Sequence, residues 1–509
     1  MLLTHLLPLH FSGNLNLENF ANIEVSNIEI DSRLAKAGSI FFALKGYNVD
    51  GINFIDSAFE KGASVAFCAD EANLSSVKNL QNKPIIKVKN VYQTLIEALQ
   101  NFYPNLPENI LAITGTNGKT SVAHFIFQMQ EIIGKKAASI GTIGIKTSDK
   151  SIQKKLTEFE LTTPDIVSLY KNLAILKQHG VNDIAIETSS IGLEQNRLAG
   201  LKIGLGAFTN FSQDHLDHHQ TMEKYFDCKM LLFKQILPAN SIAVLNANIA
   251  EFEQIKAIAL KANLKVFAYQ ITNQSTNNST NSILCCYANQ SDAEKSWLEF
   301  INGQNEFKNF ALETHFQNAN ILCAFLAVVA YYQPNYKQIE LLIANLSKLH
   351  PAAGRMELVT TLKNNAKIFI DYAHTPDAIK NVLDAGKQMK HNNLHILFGC
   401  GGDRDKGKRP QMGKIASDLA DFIIVSDDNP RTEDAEQIRK EILSACNLSK
   451  TTEIANRKNA IHQAISMLQD NDILIIAGKG HEKYQIIGRE KFEFDENKIA
   501  QNFIANNFL

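Results

Sequence analysis

The sequence predicts an α/β fold of about three domains, with parallel sheets in its middle and last regions. Three observations predict it. Short apolar runs alternate with helical segments through both regions. Polar residues that carry chemistry follow directly on those runs: Glu187, Thr209–Asn210, Asp371, Gly399–Asp403, Asp427–Arg431 and Gly478–Glu482. Ligands of open parallel sheets bind at such strand ends. Finally, Leu111–Ser121, LAITGTNGKTS, reads as strand, glycine turn and helix start.

The elements follow in chain order. The N-terminal MLLTHLLPLHF is apolar, but no Lys or Arg precedes Arg33, so a secretory signal is not expected. Pro104 and Pro107 lie in a polar stretch and close a first domain, 1–105. Leu111–Ile113 is a buried strand. Gly115 and Gly118 make the turn, and Lys119 and Thr120 open a helix with the apolar stripe Val122, Phe125, Met129 and Ile132, stopped by Gly134. Ile184–Ile186, Ala207–Phe208 and Ile242–Leu245 are further strands. Thr272–Ser282, rich in Asn, Ser and Thr, reads as a surface loop. Ile321–Tyr332 is a buried helix, too short to span a bilayer. His350–Pro351–Ala352–Ala353–Gly354 separates a central domain, 106–348, from a last one, 349–509. The last domain has strands at Ile368–Ile370, Ile396–Phe398, Phe422–Val425 and Ile473–Ala477.

Composition narrows the class. A formal net charge of −2 over 509 residues provides no global field for nucleic acid. The seven cysteines show no metal-type CxxC spacing and fit free thiols of a cytoplasmic protein.

A glycine turn lets backbone N–H groups approach phosphate oxygens. The helix start adds its positive dipole end, Lys119 adds a charge, and the Thr120 hydroxyl can hold Mg²⁺. The spacing departs from a usual P-loop at Ile113, where a glycine is customary. Glu187 is placed either to share Mg²⁺ with Thr120 or to make an ordinary ion pair. Phe208–His219, FTNFSQDHLDHH, packs three histidines and two aspartates into six residues. It suits a metal or phosphate environment, or a solvated helix start capped by Ser212 or Asp214. Lys229, in DCKMLLF, is either a surface residue with a buried stem or a partly buried amine of lowered pKa. Two arginine-bearing loops, Phe398–Pro410 and Ser426–Asp434, are either charged turns or a grip for a substrate with more than one carboxylate.

In chain order the motifs are GTNGKT (Gly115–Thr120), TTP (Thr162–Pro164), ETSS (Glu187–Ser190), TNFSQDHLDHH (Thr209–His219) and GRME (Gly354–Glu357). DYAHTPDA (Asp371–Ala378), GCGGDRDKGKRP (Gly399–Pro410), DNPR (Asp428–Arg431) and GKGHE (Gly478–Glu482) complete the series. Together the chain resembles the Mur ligases, ATP-dependent amide-bond synthetases of peptidoglycan precursor assembly. It is most similar to members that add meso-2,6-diaminopimelate to UDP-N-acetylmuramoyl-L-alanyl-D-glutamate. DNPR marks those members, and Arg431 would face the carboxylate that lysine lacks. The rival readings are a lysine-adding or folylpolyglutamate-type ligase, an ATP-hydrolysing P-loop switch, and a non-catalytic uridine-nucleotide binder.

The resemblance implies an N-terminal α/β domain that binds UDP, a central P-loop-like ATPase domain and a C-terminal Rossmann-like domain. It implies ATP and Mg²⁺ as cofactors and a cytoplasmic monomer without nucleic-acid partner or membrane insertion. Ile30, Ser32, Tyr47, Asn48 and Val49 match the uridine site. Thr162, Thr163, Ser189, Gln195 and Arg197 match residues that hold the muramoyl dipeptide. Gly115, Thr116, Asn117, Gly118, Lys119, Thr120 and Ser121 match the ATP loop, and Asn320, Arg355 and Asp371 match positions near adenine, phosphate and ribose. Lys119, Glu187, His215 and Lys229 match catalytic positions. Thr120, Glu187, His215 and Lys229, the last as its carbamate, match the metal set. Arg404, Asp428, Asn429, Pro430, Arg431, Gly478 and Glu482 match the diaminopimelate site. Three positions depart from the family pattern: Ile191 replaces a common His, Asn248 a common Asp and Gln317 a usual Asn.

Overall fold

The computed structural model describes residues 1–7, 22–46, 49–78, 82–272, 282–287, 315–389 and 391–507. Most of the Asn/Ser/Thr-rich run, at 273–281, and the proposed uridine contacts Tyr47 and Asn48 lie outside the described residues.

The chain forms two compact units. The smaller gathers 1–108, 149–182 and 195–202. Its sheet is β1 (Asn27–Glu29), β2 (Ser39–Phe42), β3 (Val65–Ala69) and β4 (Ile85–Val88), in that order and parallel throughout. Phe41, Ala66 and Cys68 bury one face against Ile55, Ala58 and Phe59 of the helix Ile55–Glu60.

The larger unit holds two further sheets. The first runs β5 (Asn109–Thr114), β6 (Ala137–Gly141), β7 (Gly144–Thr147), β8 (Asp183–Glu187), β9 (Ile203–Phe208), β10 (Ile242–Asn246), β11 (Lys265–Thr272) and β12 (Ser282–Tyr287) in sequence. In space the order is β12-β11-β10-β9-β5-β8-β6-β7. Six central strands are parallel, and the edge strands β7 and β12 run antiparallel. The sequence alternation did not reveal these edges. β5 lies between β8 and β9, so the chain crosses outward on both sides of it. That reversal opens a crevice at the strand's carboxyl end.

Six-residue β5 feeds α1 (Lys119–Ile132). Its predicted stripe is realised: Val122, Phe125 and Met129 are fully buried, with Ile132 packed beside them. Gly134, at φ +81°, ends the helix. Ile321–Ala330 is the buried core of α5 (His315–Tyr332), which packs on α1. The short α2 (Ser190–Glu194), α3 (Leu216–His219) and α4 (Met222–Leu231) lie between them in sequence.

The second sheet comprises β13 (Glu357–Thr361), β14 (Lys367–Asp371), β15 (Leu394–Phe398), β16 (Phe422–Val425), β17 (Thr451–Glu453) and β18 (Ile473–Ala477). Its order is β13-β14-β18-β15-β16-β17, parallel except for β13. The twofold strand period divides β18: Ile473, Ile475 and Ala477 join one core, Leu474 and Ile476 the other. Both faces are therefore apolar, and helices cover each of them. A hairpin, β19 (Tyr484–Ile487) with β20 (Glu490–Glu493), completes the unit.

Candidate active site

The glycine turn at the end of β5 is shaped by the loop after β9. Gly115 has φ +144°, and a Cβ there would lie 2.0 Å from Thr209 Oγ1. A Cβ on Gly118 would lie 2.5 Å from Asn320 Oδ1. Both glycines are therefore required by contact as well as by conformation. Thr116 N donates to Asn210 O (2.9 Å), Asn117 N to Asn210 Oδ1 (2.8 Å) and Thr209 Oγ1 to Asn117 O (2.6 Å). Ile113, where a P-loop glycine is customary, is a fully buried strand residue. Among the described residues no side chain caps α1, so its first N–H groups remain available to an anion.

Three cationic groups converge here. Lys119 Nζ donates to Gly115 O (2.9 Å) and Thr116 O (2.6 Å). Lys229 Nζ donates to Gly115 O at 2.7 Å and sits 4.4 Å from the Tyr225 ring centroid. Arg355 Nη2 donates to Thr120 Oγ1 at 3.0 Å. Burial lowers the pKa of Lys119 and pushes that of Lys229 far down, helped by the nearby Lys119 charge. Lys229 is 1% exposed, which corrects the surface reading. It projects from α4 against the loop carbonyl rather than into solvent.

Glu187 closes the crevice. Its Oε2 accepts from Thr120 Oγ1 (2.9 Å) and Thr142 Oγ1 (3.0 Å), and its Oε1 from Thr142 N (2.9 Å). Burial raises its pKa, against the pull of Arg355 and Lys119. A Cβ on Gly141 would lie 1.9 Å from Glu187 Oε1, so that glycine clears the space the carboxylate uses.

Of the two readings of the histidine-rich segment, the helix start capped by Ser212 or Asp214 does not form. His215, at φ +54°, is itself the N-cap residue of α3, and its left-handed backbone prevents Ser212 or Asp214 from leading straight in. Asp214 Oδ2 instead lies 3.5 Å from His215 Nε2 and 4.0 Å from His374 Nε2. Burial opposes the ionised carboxylate, but His215, His374 and Lys408 outweigh it and hold Asp214 below its ordinary range. His218 and His219 turn elsewhere, toward Glu194 and Ser190.

Asn320 Nδ2 contacts Gln317 Oε1 (3.4 Å), and Gln317 Nε2 donates to Arg355 O (3.3 Å). Asp371 accepts from Met356 N and Ala373 N, both at 2.7 Å, and burial raises its pKa to about 6. Ser189 Oγ accepts from Gly192 N (3.0 Å), and Asn248 N donates to Asn246 Oδ1 (2.9 Å). Ile191 lies within α2.

At the second sheet, Arg431 Nη1 donates to Gly402 O (2.8 Å) and Arg404 Nη1 to Asp403 O (3.1 Å). Asn429 Nδ2 donates to Glu482 Oε2 (2.9 Å), while Lys479 Nζ reaches Asn429 Oδ1 (2.8 Å). Among the described residues Asp428 Oδ2 is buried without a hydrogen-bond partner, 2.5 Å from where a Gly478 Cβ would stand. Burial raises the Glu482 pKa, helped by Asp428. Pro430 O crowds Gly402, where a Cβ would lie 1.9 Å away, so the two arginine loops fit together only with a glycine there. The sites of the two sheets meet through Asn117 Nδ2 to Asp377 Oδ2 (2.9 Å) and Gln213 Nε2 to Asp405 Oδ2 (2.9 Å).

In the smaller unit, Arg197 donates to Thr163 O (2.6 Å) and Gln195 Oε1 (2.6 Å). Thr162 and Ile30 are half-buried, Ser32 is buried and Val49 is exposed. Sequence reasoning missed Thr142, Asp377 and Lys479 as members of these networks, and singled out Asp214 only as a possible cap and as part of the histidine-rich segment. Asp377 and Lys479 lie inside recognised motifs, but Thr142 carries no local signal.

Three family models match the chain: "Mur ligase family, catalytic domain" at 24–107, "Mur ligase middle domain" at 113–328 and "Mur ligase, glutamate ligase domain" at 354–480. The chain is 41% identical over 499 residues to a Rickettsia bellii protein named UDP-N-acetylmuramoyl-L-alanyl-D-glutamate--2,6-diaminopimelate ligase, covering 96% of this chain and 97% of that one. A solved structure bearing the same enzyme name superposes with a TM-score of 0.61 at 29% identity, covering 99% of both chains. MurF ligase from Thermotoga maritima in complex with ADP has the same fold, with a TM-score of 0.56 at 15% identity over 96% of this chain and 98% of that one.

Proposed function

The chain belongs to the Mur ligase family, and on that premise we propose that it joins meso-2,6-diaminopimelate to the D-glutamate of UDP-N-acetylmuramoyl-L-alanyl-D-glutamate at the expense of ATP, in peptidoglycan synthesis. One observation carries this reading. The uncapped start of α1, with Lys119 and Thr120, and the loops carrying Arg404, Asp428–Arg431 and Glu482 lie in one compact unit, bridged by Asn117 Nδ2 to Asp377 Oδ2 and by Gln213 Nε2 to Asp405 Oδ2.

Gly115–Ser121 would cradle the triphosphate, with Asn320 and Asp371 about the nucleoside and Arg355 toward the terminal phosphate. The D-glutamate carboxylate attacks the γ-phosphorus, the bond to ADP breaks, and an acyl phosphate results. An unprotonated amine of diaminopimelate then attacks the acyl carbon, and phosphate leaves. Lys119 offsets the repulsion as two anions meet. Arg431 and Arg404 would hold the substrate's carboxylates, and Glu482 and Asp428 its ammonium group. Keeping water out protects the acyl phosphate from hydrolysis.

Mg²⁺ fits Thr120 and Glu187, a hydroxyl beside a buried carboxylate whose raised pKa a cation would relieve. His215 and Lys229 complete the proposed set, and a bound Mg²⁺ would neutralise developing phosphate charge. Lys229 joins it only as a carbamate. A buried amine held below its ordinary pKa is free of its proton more often, which is the form that adds CO₂.

Ile30, Ser32, Tyr47, Asn48, Val49, Thr162, Thr163, Ser189, Gln195 and Arg197 are proposed contacts of the UDP-muramoyl dipeptide. The proposed domains remain 1–105, 106–348 and 349–509, in a cytoplasmic monomer. No helix among the described residues is long and apolar enough to cross a membrane. Mass spectrometry of the product from ATP, the UDP-muramoyl dipeptide and an equimolar mix of diaminopimelate and lysine tests the reading. A diaminopimelate-extended muropeptide supports it, a lysine-extended one selects the sister activity, and no extended product sinks both.

A further inference from the structure

Three short helices bring together a donor set that the proposed reaction does not use. Glu194 ends α2, His219 ends α3 and Cys228 lies on α4. One ligand atom from each lies within 4.8 Å of the other two. We infer that Glu194, His219 and Cys228 form a second metal site, for a borderline divalent cation such as Zn²⁺.

The donor chemistry separates this site from the Thr120–Glu187 crevice. Sulfur, imidazole nitrogen and a single carboxylate suit Zn²⁺, whereas Mg²⁺ prefers oxygen ligands throughout. Ligand orientation is provided by neighbours. His219 Nε2 lies 2.9 Å from Ser190 Oγ, and Glu194 Oε2 lies 2.6 Å from His218 Nε2. Such outer partners fix the tautomer and direction of metal ligands. His219 is 3% exposed, while the Glu194 side chain is 29% exposed, so the set has a buried floor and an entry from solvent. The Cys228 thiol releases its proton to solvent as the sulfur–metal bond forms. A cation there would tie α2, α3 and α4 together. Lys229, the next residue, would then be held on Gly115 O by a cross-linked helix.

The test uses the full chain, stripped with a chelator and titrated with Co²⁺ alone. The expected result is one equivalent bound, with thiolate-to-cobalt charge-transfer absorption that Zn²⁺ abolishes and Mg²⁺ does not. Cys228→Ser removes the band, whereas Cys446→Ser and Cys68→Ser retain it. Zn²⁺ affinity falls at least about 10- to 100-fold in Cys228→Ser and in Glu194→Gln, the scale of loss that even outer-partner changes cause. His219→Gln is read by the same band when its circular dichroism melt shows a folded chain; otherwise the other two variants decide. Cobalt bound without the band, or a band that survives Cys228→Ser, overturns the site.

Discussion

The strand ends of the two sheets in the larger unit handle positive charge in opposite ways. At the eight-stranded sheet, Lys119 and Lys229 lean on main-chain carbonyls, and burial drives both amines toward their neutral forms. At the six-stranded sheet most buried cations meet a carboxylate, Lys408 being the exception among the described residues. Lys479 lies 3.3 Å from Glu482, Arg409 spans Glu433 (3.0 Å) and Glu441 (2.7 Å), and Arg457 pairs with Glu496 (2.8 Å). The difference teaches what each region is ready for. The first keeps positive capacity that an arriving polyanion would draw out. The second pairs most of its buried cations within the protein, which suits the zwitterion proposed for it.

The contrast can be broken at several points. Lys119→Ala is expected to act most strongly, lowering ligation by about 10³-fold or more in a coupled phosphate-release assay while the melting temperature stays near that of the parent. Near-normal turnover would remove Lys119 from the reaction. Glu187→Gln keeps the shape but loses the charge, and about 10²-fold in kcat should follow; an unchanged rate would mean that Glu187 only supports Thr120 and Thr142.

On the second sheet, Arg431→Ala should cost about 10- to 100-fold in preference for diaminopimelate over lysine, the worth of one charge-assisted hydrogen bond. A competition assay that returns parental selectivity refutes the assignment. Lys229 sharpens the comparison through pH. Its folded pKa lies below the unfolded one, so the folded state binds fewer protons between the two values and stability rises with pH across that window. Lys229→Met should therefore melt above the parent near neutral pH, with the gap narrowing toward the ordinary lysine range. A gap that does not change with pH would show that the amine is not strained by burial. The smallest effect is expected from Thr142→Val, which loses one hydroxyl bond to Glu187 but keeps the backbone one. About 1.5 kcal/mol, or about 10-fold in kcat, is the low end of the scale for a bond to a charged group, to be read by steady-state kinetics.

Much of this arrangement could be read from residue order. The strand–turn–helix at β5, the buried stripe of α1 and the polar strand ends were legible because period and turn chemistry are local. The N-cap at His215 was not, because a positive φ at a non-glycine residue leaves no mark in composition. Lys229 was ambiguous for a related reason: its helix is apolar on one side, but only the Gly115 carbonyl, 114 residues away, decides where the amine goes. The edge strands β7 and β12 were invisible for want of partners in sequence. Thr142 acquires its role only when β6 and β8 lie side by side.

Gly141 shows how far such nonlocal dependence extends. It bears no reactive group, yet its missing methyl is the room in which the Glu187 carboxylate rests. A drift to alanine at this one codon would evict that carboxylate from three hydrogen bonds at once. A survey of variants that scores only polar residues would pass over the substitution as harmless, although a Cβ there would lie 1.9 Å from the Glu187 carboxylate.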